Sequence, residues 1–556
     1  MATVRPVDGR VSLGTLPVGF YRLCGGDGVD VSLAVLARLQ AATPATSPVA
    51  LDVAMAWFYP KERMPAVANL CTLAGVNWVR DRLAWPEMEP KPGRWAASTR
   101  YDHTARAQAD AGLRVLQVHH ASPAWANPDG KRFPLDLRHA YRFQREMARR
   151  WNGQVQAFEP WNEADIPMFG GHTGAEMASL QKAAWLGLKA GNPDAIGGLN
   201  VFADHKPAQL ADLHANEAWP YFDTFNLHHY APLDAFPRLY AAFRAVSAGR
   251  PLWVTECALP VRWTGDPKKQ EPTEADQRLQ AERVAQVFAA SVHEGAVASF
   301  AFLLPHYVEG QIQFGLLRRD LTPRPAFAAL AAVGRHLADA RPLGRFDVNP
   351  KVRAFLFAAR PDVTAREVLV AWTTDGTAWL PLPLPIRPVA VFDHLGRPRP
   401  VGDALALTTA PQFVILPAGT AGRLTLQPPP AAPSRLAGKP SPVVLQAIWP
   451  KERVALEQSA YRLVTPKGDE VPVFVYNFAD TPVTGRREAP ANDGWGVRLS
   501  RPAVTVEPMG RTEIRLILDA PSAAGAAPAT VRVRGAFGPA GEPVLSLRVL
   551  PAATKK

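Results

Sequence analysis

Phe158-Glu159-Pro160-Trp161-Asn162-Glu163 and Leu252-Trp253-Val254-Thr255-Glu256 are two apolar runs that each end on a glutamate. Runs of Val, Phe and Trp bounded by turn residues read as buried strands. A carboxylate at the end of such a strand finds no partner in an apolar core, so it belongs where a cavity opens. The chain around these two runs repeats their pattern. From about residue 50 to about 340, short apolar runs alternate with amphipathic helical segments, which is how parallel βα units read. Eight strands are predicted: Leu51–Phe58, Val76–Leu83, Leu113–His120, Val155–Trp161, Ile196–Phe202, Phe222–Tyr230, Leu252–Cys257 and Ala298–Leu304. Eight units in roughly 290 residues match the size and repeat of a (β/α)8 TIM barrel, so the fold class is α/β.

The helix after the first glutamate run is legible in detail. Thr173-Gly174-Ala175-Glu176 has capping-box spacing. Met177, Leu180, Ala184 and Leu188 then recur on one face, and Gly191-Asn192-Pro193 supplies the stop. Glu163 therefore sits on a βα loop, on the face where such barrels carry their active sites.

Around a catalytic barrel of residues 49–340, other textures appear. Residues 1–48 read as an N-terminal β segment or a cap on the barrel. Residues 341–427, with strand-like Ala354-Phe355-Leu356-Phe357 and Glu367–Ala371 between Pro/Gly turns, read as a β-sandwich packed on the barrel. Residues 428–439 open with Pro428-Pro429-Pro430-Ala431-Ala432-Pro433, a stiff linker. Residues 440–556, with Val473–Asn477, Thr512–Leu518 and Thr530–Arg534, read as an immunoglobulin-like sandwich. A length of 556 residues is too great for one core. The 55 prolines, many of them after position 380, suit edge strands and loops.

The formal net charge is +12, without a dense Lys/Arg block. Two readings stay open: a general Arg-rich bias, or a preference for an anionic substrate. No nucleic-acid-binding motif accompanies the charge, so nucleic acid is not an expected partner. Cys24, Cys71 and Cys257 are too few and too scattered for a disulfide framework or a metal site. No metal and no cofactor is expected. Met1-Ala2-Thr3-Val4-Arg5 carries no h-region, and no stretch is long and apolar enough to span a bilayer. A soluble chain is expected, cytoplasmic, or secreted or periplasmic if a signal peptide has been removed. Nothing in these patterns bears on oligomeric state.

Paired carboxylates at a barrel mouth are suited to hydrolysing a glycosidic bond. In the retaining form, one protonates the leaving oxygen and the other, about 5–5.5 Å away, attacks the anomeric carbon. Trp161-Asn162-Glu163 and Val254-Thr255-Glu256, on strands four and seven, resemble the acid/base and nucleophile motifs of clan A glycoside hydrolases, and the chain is similar to family 39. Further likeness lies in Gly75-Val76-Asn77-Trp78-Val79-Arg80 with Trp85, Glu89-Pro90 and Gly93, and in His228-His229-Tyr230. Gly315-Leu316-Leu317 and Pro323-Arg324-Pro325-Ala326-Phe327 extend it past strand eight.

The resemblance implies a retaining hydrolase of β-linked oligo- or polysaccharides that works through a covalent glycosyl-enzyme. It makes Glu163 the acid/base and Glu256 the nucleophile. Asn162 would bind the sugar 2-hydroxyl, Arg80 and Tyr230 would hold Glu256 ionised and aimed, and His228 would line the same wall. Two departures stand out. Ala164-Asp165 follows Glu163 where the family has proline, and Asp165 close by would raise the pKa of Glu163. Phe302-Leu303-Leu304-Pro305-His306-Tyr307 stands where the family places a sugar-stacking tryptophan.

Each residue also has a plainer role. Glu163 would suit a helix start, Glu256 a buried ion pair with Arg80, and Asn162 a turn. His228 and His229, being adjacent on a strand, would face opposite ways as wall residues. His119 and His120, before Pro123-Ala124-Trp125, are expected as a substrate-facing pair, with no third ligand for a metal. Trp57, Trp85, Trp125 and Trp263 would stack on sugars or anchor core and loops, and Glu87 and Glu89 read as structural. Lys61, Arg63, Arg82, Lys91, Arg132, His205 and Lys206 would either read a uronate or sulfate or stay solvated. The loop Arg262–Gln277 would decide exo or endo action. Rival readings are a transglycosylase at the same site, a non-catalytic carbohydrate-binding barrel, and a lyase with His228 or Tyr230 as base.

Overall fold

Eight strands form one parallel sheet: β1 (Val49–Asp52), β2 (Trp78–Ala84), β3 (Arg114–His120), β4 (Ala157–Glu159), β5 (Ile196–Gly197), β6 (Phe225–His229), β7 (Leu252–Cys257) and β8 (Ala296–Ala301). Their hydrogen-bonded order is β5-β4-β3-β2-β1-β8-β7-β6. Parallel bridges Gly198↔Thr224 and Phe202↔Leu227 join β5 to β6 and close the circle. This is a TIM barrel, followed by antiparallel β-sheets. The structure is a computed structural model; it describes all residues except 1–7, 9, 26, 27, 29, 264–270, 348, 383–385, 403, 491–493, 522–528 and 553–556. Much of the loop Arg262–Gln277 thus lies outside the described residues. Among those described, no helix is long and apolar enough to cross a membrane.

Strand one ends earlier than predicted. After Asp52, Ala54 turns left-handed (φ 39°), and Met55–Phe58 form a helical turn. Met55 and Ala56 are buried there, and an unbroken apolar run does not separate a buried strand from a buried turn of helix. A closed apolar plug fills the barrel floor: Ala50, Trp78, Leu116, Ala157, Trp253, Ala298 and Phe300. Above it the interior turns polar, because alternate residues of each strand keep pointing inward. On β2, Trp78, Arg80 and Arg82 face in. Asp81 faces the helices, where it accepts hydrogen bonds from Ala56 N and Gln108 Nε2.

The helix Gly174–Gly191 starts with the capping box Thr173/Glu176, as expected, and ends at Asn192. It is buried on two sides. Met177 and Leu180 pack with Trp161 and Phe202 of the barrel. Ala175 packs with Val443 and Leu445, Ser179 Oγ donates to Leu445 O at 2.9 Å, and Lys182 Nζ donates to Val544 O at 3.1 Å. These partners belong to two facing sheets. One runs Val443–Ala447, Asp469–Asn477, Arg511–Asp519, Gly496–Leu499; the six-stranded other includes Val544–Leu550, Ala529–Ala536 and Val483–Glu488.

Between barrel and linker, a six-stranded antiparallel sheet spans Arg341 to Leu416. Strand alternation gives it two apolar faces. Val368, Val370, Trp372, Phe413 and Ile415 join the barrel helices. Leu356, Leu369, Ala371 and Val414 face Leu380, Leu405 and Leu407, which lie on the two-stranded ribbon Ala378–Pro381/Ala404–Leu407. The Pro-rich segment runs along the barrel and is pinned by Leu436 N to Ala248 O (3.0 Å) and Trp219 Nε1 to Ala437 O (3.0 Å). The N-terminal hairpin Gly19–Cys24/Asp30–Val35 lies against the barrel, through Arg22 to Glu274 (2.6 Å) and Ser32 Oγ to Pro323 O (2.6 Å).

Gly187 is where the helix Gly174–Gly191 crosses the helix Leu137–Arg150, and a Cβ added there would lie 2.1 Å from Tyr141 O. Gly187→Ala is expected to destabilise the barrel by about 1–3 kcal/mol, read as a lowered urea midpoint; an unchanged midpoint would mean that the two helices separate easily.

Candidate active site

Arg80 stands at the centre of the polar layer and is fully buried. Its Nε donates to Glu159 Oε2 (2.7 Å), Nη1 to Asp52 Oδ2 (3.0 Å) and to Glu256 Oε1, and Nη2 to Asn162 Oδ1 (2.8 Å). One guanidinium thus ties β2 to β1, β4 and β7. Arg82, two residues on, repeats the motif: Nη1 donates to Asp52 Oδ1 and Nη2 to Glu256 Oε1 (3.1 Å). Asp52 bridges both guanidiniums. Burial outweighs its two arginines and leaves its carboxyl above the ordinary range. Glu159 uses its other oxygen on Asn226 Nδ2 (2.9 Å).

Glu256 receives three kinds of donor. Besides the two arginines, Tyr230 OH donates to Oε2 at 2.8 Å, and His228 Nδ1 lies 3.6 Å from the same oxygen. Burial alone would push this carboxyl up, but His228, Arg80, Arg82 and the Tyr230 hydroxyl hold it down at about 2. These donors therefore favour the carboxylate form of Glu256.

Glu163 faces it from the loop after β4. Its backbone sits at φ 43°, left-handed geometry that is rare for a residue with a long side chain. Ile166 N donates to its carbonyl (3.2 Å) and closes the turn. Strain of this kind costs about 1–3 kcal/mol and concentrates where a side chain must be aimed. His228 Nδ1 lies 2.8 Å from Glu163 Oε1. One carboxylate oxygen from each glutamate and a ring nitrogen of His228 all lie within 4.8 Å of one another. Such a trio has the outline of a cation site, but the guanidiniums on Glu256 already supply the positive charge that a cation would bring.

Of the residues singled out in the sequence, Glu163, Glu256, Asn162, Arg80, His228 and Tyr230 meet in one hydrogen-bonded cluster. His120 points the same way: its ring is 4.8 Å from Trp57 and 5.8 Å from Phe169 at the mouth. His119 does not, which corrects the expected substrate-facing pair. It faces the helix layer, with Nδ1 2.7 Å from Gln144 Nε2, because adjacent strand residues project to opposite sides. His229 likewise turns outward to Tyr240 OH (2.9 Å). Trp85 and Trp125 also lie apart from the cluster. Trp85 is 3% exposed, stacks on Phe143 (4.4 Å) and donates to Glu89 Oε2. Trp125 donates to Glu89 O and lies under Arg142. Both brace loops around Glu89.

Asp165 is buried, accepts from Ala203 N (2.8 Å) and has its own carboxyl pushed up to about 7 by burial. Arg82 and Arg132, read as loop cations, are both committed: Arg132 donates to Gly170 O (2.9 Å) and to Glu176. Sequence reasoning missed Asp52 and Glu159 as members of the site and left Arg82 among the cations that would either read an anionic sugar or stay solvated. The signals were present: Asp52 ends the buried run Val49-Ala50-Leu51, and Arg82 repeats Arg80 at the period of a strand. Phe302, which opens the stretch noted as lacking a tryptophan, packs edge-on against Tyr230 (5.8 Å), and Arg82 lies between it and Trp57 (5.8 and 5.9 Å).

No protein-family model matches the sequence, and no curated protein matches it. Among solved structures, the chain is similar to a family 39 glycoside hydrolase from the gut symbiont Bacteroides cellulosilyticus WH2, at 18% identity and a TM-score of 0.58, over 72% of this chain and 88% of that one. It is also similar to a GH30 endoxylanase from Clostridium papyrosolvens C71, at 14% identity and a TM-score of 0.50, over 68% of this chain and 98% of that one. At such identities the shared property is the fold, a barrel of this type, and it agrees with the sequence expectation of family 39-like architecture.

Tyr230→Phe removes one hydrogen bond to ionised Glu256 and nothing from the barrel wall. Loss of that donor raises the Glu256 pKa, so the acid limb of the kcat/KM profile is expected to move to higher pH, with activity about tenfold lower or more. An acid limb that does not move would separate Tyr230 from the charge on Glu256.

Proposed function

We propose that this chain is a retaining glycoside hydrolase that cleaves β-linked oligo- or polysaccharides by double displacement. The observation that carries the reading is the pairing of an ionised Glu256 with Glu163 across a gap of at most 4.8 Å between carboxylate oxygens. Retaining enzymes hold their carboxyl groups about 5–5.5 Å apart, whereas inverting ones need about 6.5–9.5 Å to seat a water.

Glu256 attacks the anomeric carbon from one face of the sugar while Glu163 delivers its proton to the departing oxygen. The new bond joins Glu256 to the sugar, and the aglycone leaves as an alcohol. Glu163, now ionised, takes a proton from water as that water displaces Glu256, which leaves as a carboxylate. Arg80, Arg82 and Tyr230, fixed in place before the reaction, hold Glu256 as a carboxylate before it attacks and stabilise it again as it leaves. Asn162 accepts from Arg80 through Oδ1, so its Nδ2 is left to donate to the sugar 2-hydroxyl. His228, beside Glu163 and Glu256, positions the two carboxyls relative to each other.

Charge favours a neutral sugar at the reacting position. The two guanidiniums of the layer, Arg80 and Arg82, are both already bonded to carboxyl groups, those of Asp52, Glu159 and Glu256. A uronate there would add like charge without a free partner.

Wild type, Glu163→Gln and Glu256→Ala would be run on a panel of neutral and uronic β-linked glycans, with the anomeric form of the first product followed by NMR. Each substitution is expected to lower turnover ~10³-fold or more, and the first product is expected to keep the β configuration. Near wild-type turnover in either variant removes that residue from the mechanism, and an inverted product excludes double displacement. Transfer to added sugar in place of water would identify a transglycosylase.

A further inference from the structure

Far from the catalytic cluster in sequence, the ribbon Ala378–Pro381/Ala404–Leu407 presents Trp379 with 70% of its surface exposed. Strand alternation makes this placement obligatory. Leu380 is fully buried in the sandwich core, so its neighbours Trp379 and Pro381 must point out. The residue paired with Trp379 across the ribbon is Ala406, too small to cover an indole. Among the described residues, no aromatic ring or cation lies against Trp379. A lone exposed leucine needs no explanation, but an indole this bare leaves a large apolar face in water.

The ring borders a hollow of about 430 Å³ whose walls include Asp393, His394, Arg399, Thr408 and Gln412. Asp393 is buried and oriented: Oδ1 accepts from Leu395 N and Arg397 N (both 3.0 Å), and Oδ2 faces Arg399 Nη2 at 3.3 Å. His394 Nδ1 is buried without a hydrogen-bond partner, a costly state for a polar atom beside an open hollow. One flat apolar face, ringed by fixed donors and acceptors, has the composition of a site for a ring that is apolar on its faces and hydroxylated at its edge. That description is a pyranose.

A cleft of about 1020 Å³ lies between the barrel and this sandwich, lined by Tyr230 on the barrel and by Thr373, Thr374 and Thr409 on the sandwich. Thr408 and Ala410, which flank Thr409, line the Trp379 hollow. The two concavities therefore meet across one stretch of backbone, and the cleft reaches Tyr230, which holds Glu256.

We infer that Trp379 is the stacking platform of a second glycan-binding site on the first sandwich, which takes a distal part of a β-linked polysaccharide. The inference rests on the carbohydrate reading of the barrel; it adds a place for a polymer to be held away from the bond being cleaved. Trp379 touches none of the catalytic residues, so its role is retention of long substrates only.

The test uses the full chain carrying Glu256→Ala, with and without Trp379→Ala, in affinity electrophoresis through soluble β-glucan, xylan, mannan and a uronate polymer. The single variant is expected to be retarded by at least one polymer, and Trp379→Ala to weaken that retardation about tenfold or more. Trp379→Phe should restore much of it. In the otherwise wild-type chain, Trp379→Ala should leave turnover of a short aryl glycoside unchanged. Equal retardation of the two variants, or no retardation on any polymer, overturns the second site. A wild-type dimer that Trp379→Ala converts to monomer also overturns it, because the indole then seats another copy of the chain. Failure of the catalytic reading would register separately, as aryl-glycoside turnover that survives Glu256→Ala.

Discussion

A guanidinium with no access to water is the constraint around which this barrel is built. Removing a charge of that size from water costs several kcal/mol even after relaxation, and breaking a buried pair once formed costs about 3–5 kcal/mol. Arg80 meets the requirement with Asp52, Glu159, Asn162 and Glu256, which come from three other strands or their ends. The strands must close at the right register for all four acceptors to arrive. The same contacts that satisfy Arg80 keep Glu256 ionised, so the charge that stabilises the barrel interior also sets the reactivity of its mouth.

Period-two alternation distributes everything else. Along β2, one set of residues builds the floor and the charge layer, Trp78, Arg80 and Arg82, while Asp81 goes to the helix side and finds Gln108. Along β6, His228 enters the site and His229 leaves it for Tyr240, whose hydroxyl passes the chain on to Ser291 Oγ at 2.8 Å. Asp81, His228 and His229 thus each keep at least one hydrogen-bonding neighbour, whichever face of the strand they lie on.

That alternation explains what was legible in the sequence and what was not. Eight apolar runs at βα spacing sufficed for the barrel, because burial on both faces leaves a strong, continuous signal. Glu163 and Glu256 stood out as charges that end such runs. Asp52 ends a run as well, but its partners Arg80 and Arg82 lie some 30 residues on, and a single sequence does not report which charges meet. The pair His119-His120 was read as one feature, although neighbours on a strand never share a face. Trp85 and Trp125 follow strands and so resembled mouth residues. Their indole N–H groups found Glu89 because a buried donor requires an acceptor wherever the loop folds.

The helix Gly174–Gly191 begins eleven positions after Glu163 and is covered on its outer side by the last sandwich. Tyr461 meets Thr173, Ser459 Oγ accepts from Gly174 N at 2.9 Å, and Lys182, its ammonium pushed down to about 8 by burial, donates a hydrogen bond to Val544 O. The terminal sandwich is therefore no detachable appendage. It forms the outer wall of a barrel helix, and a chain shortened at the Pro-rich segment would be left with the bare flank of the element that follows Glu163.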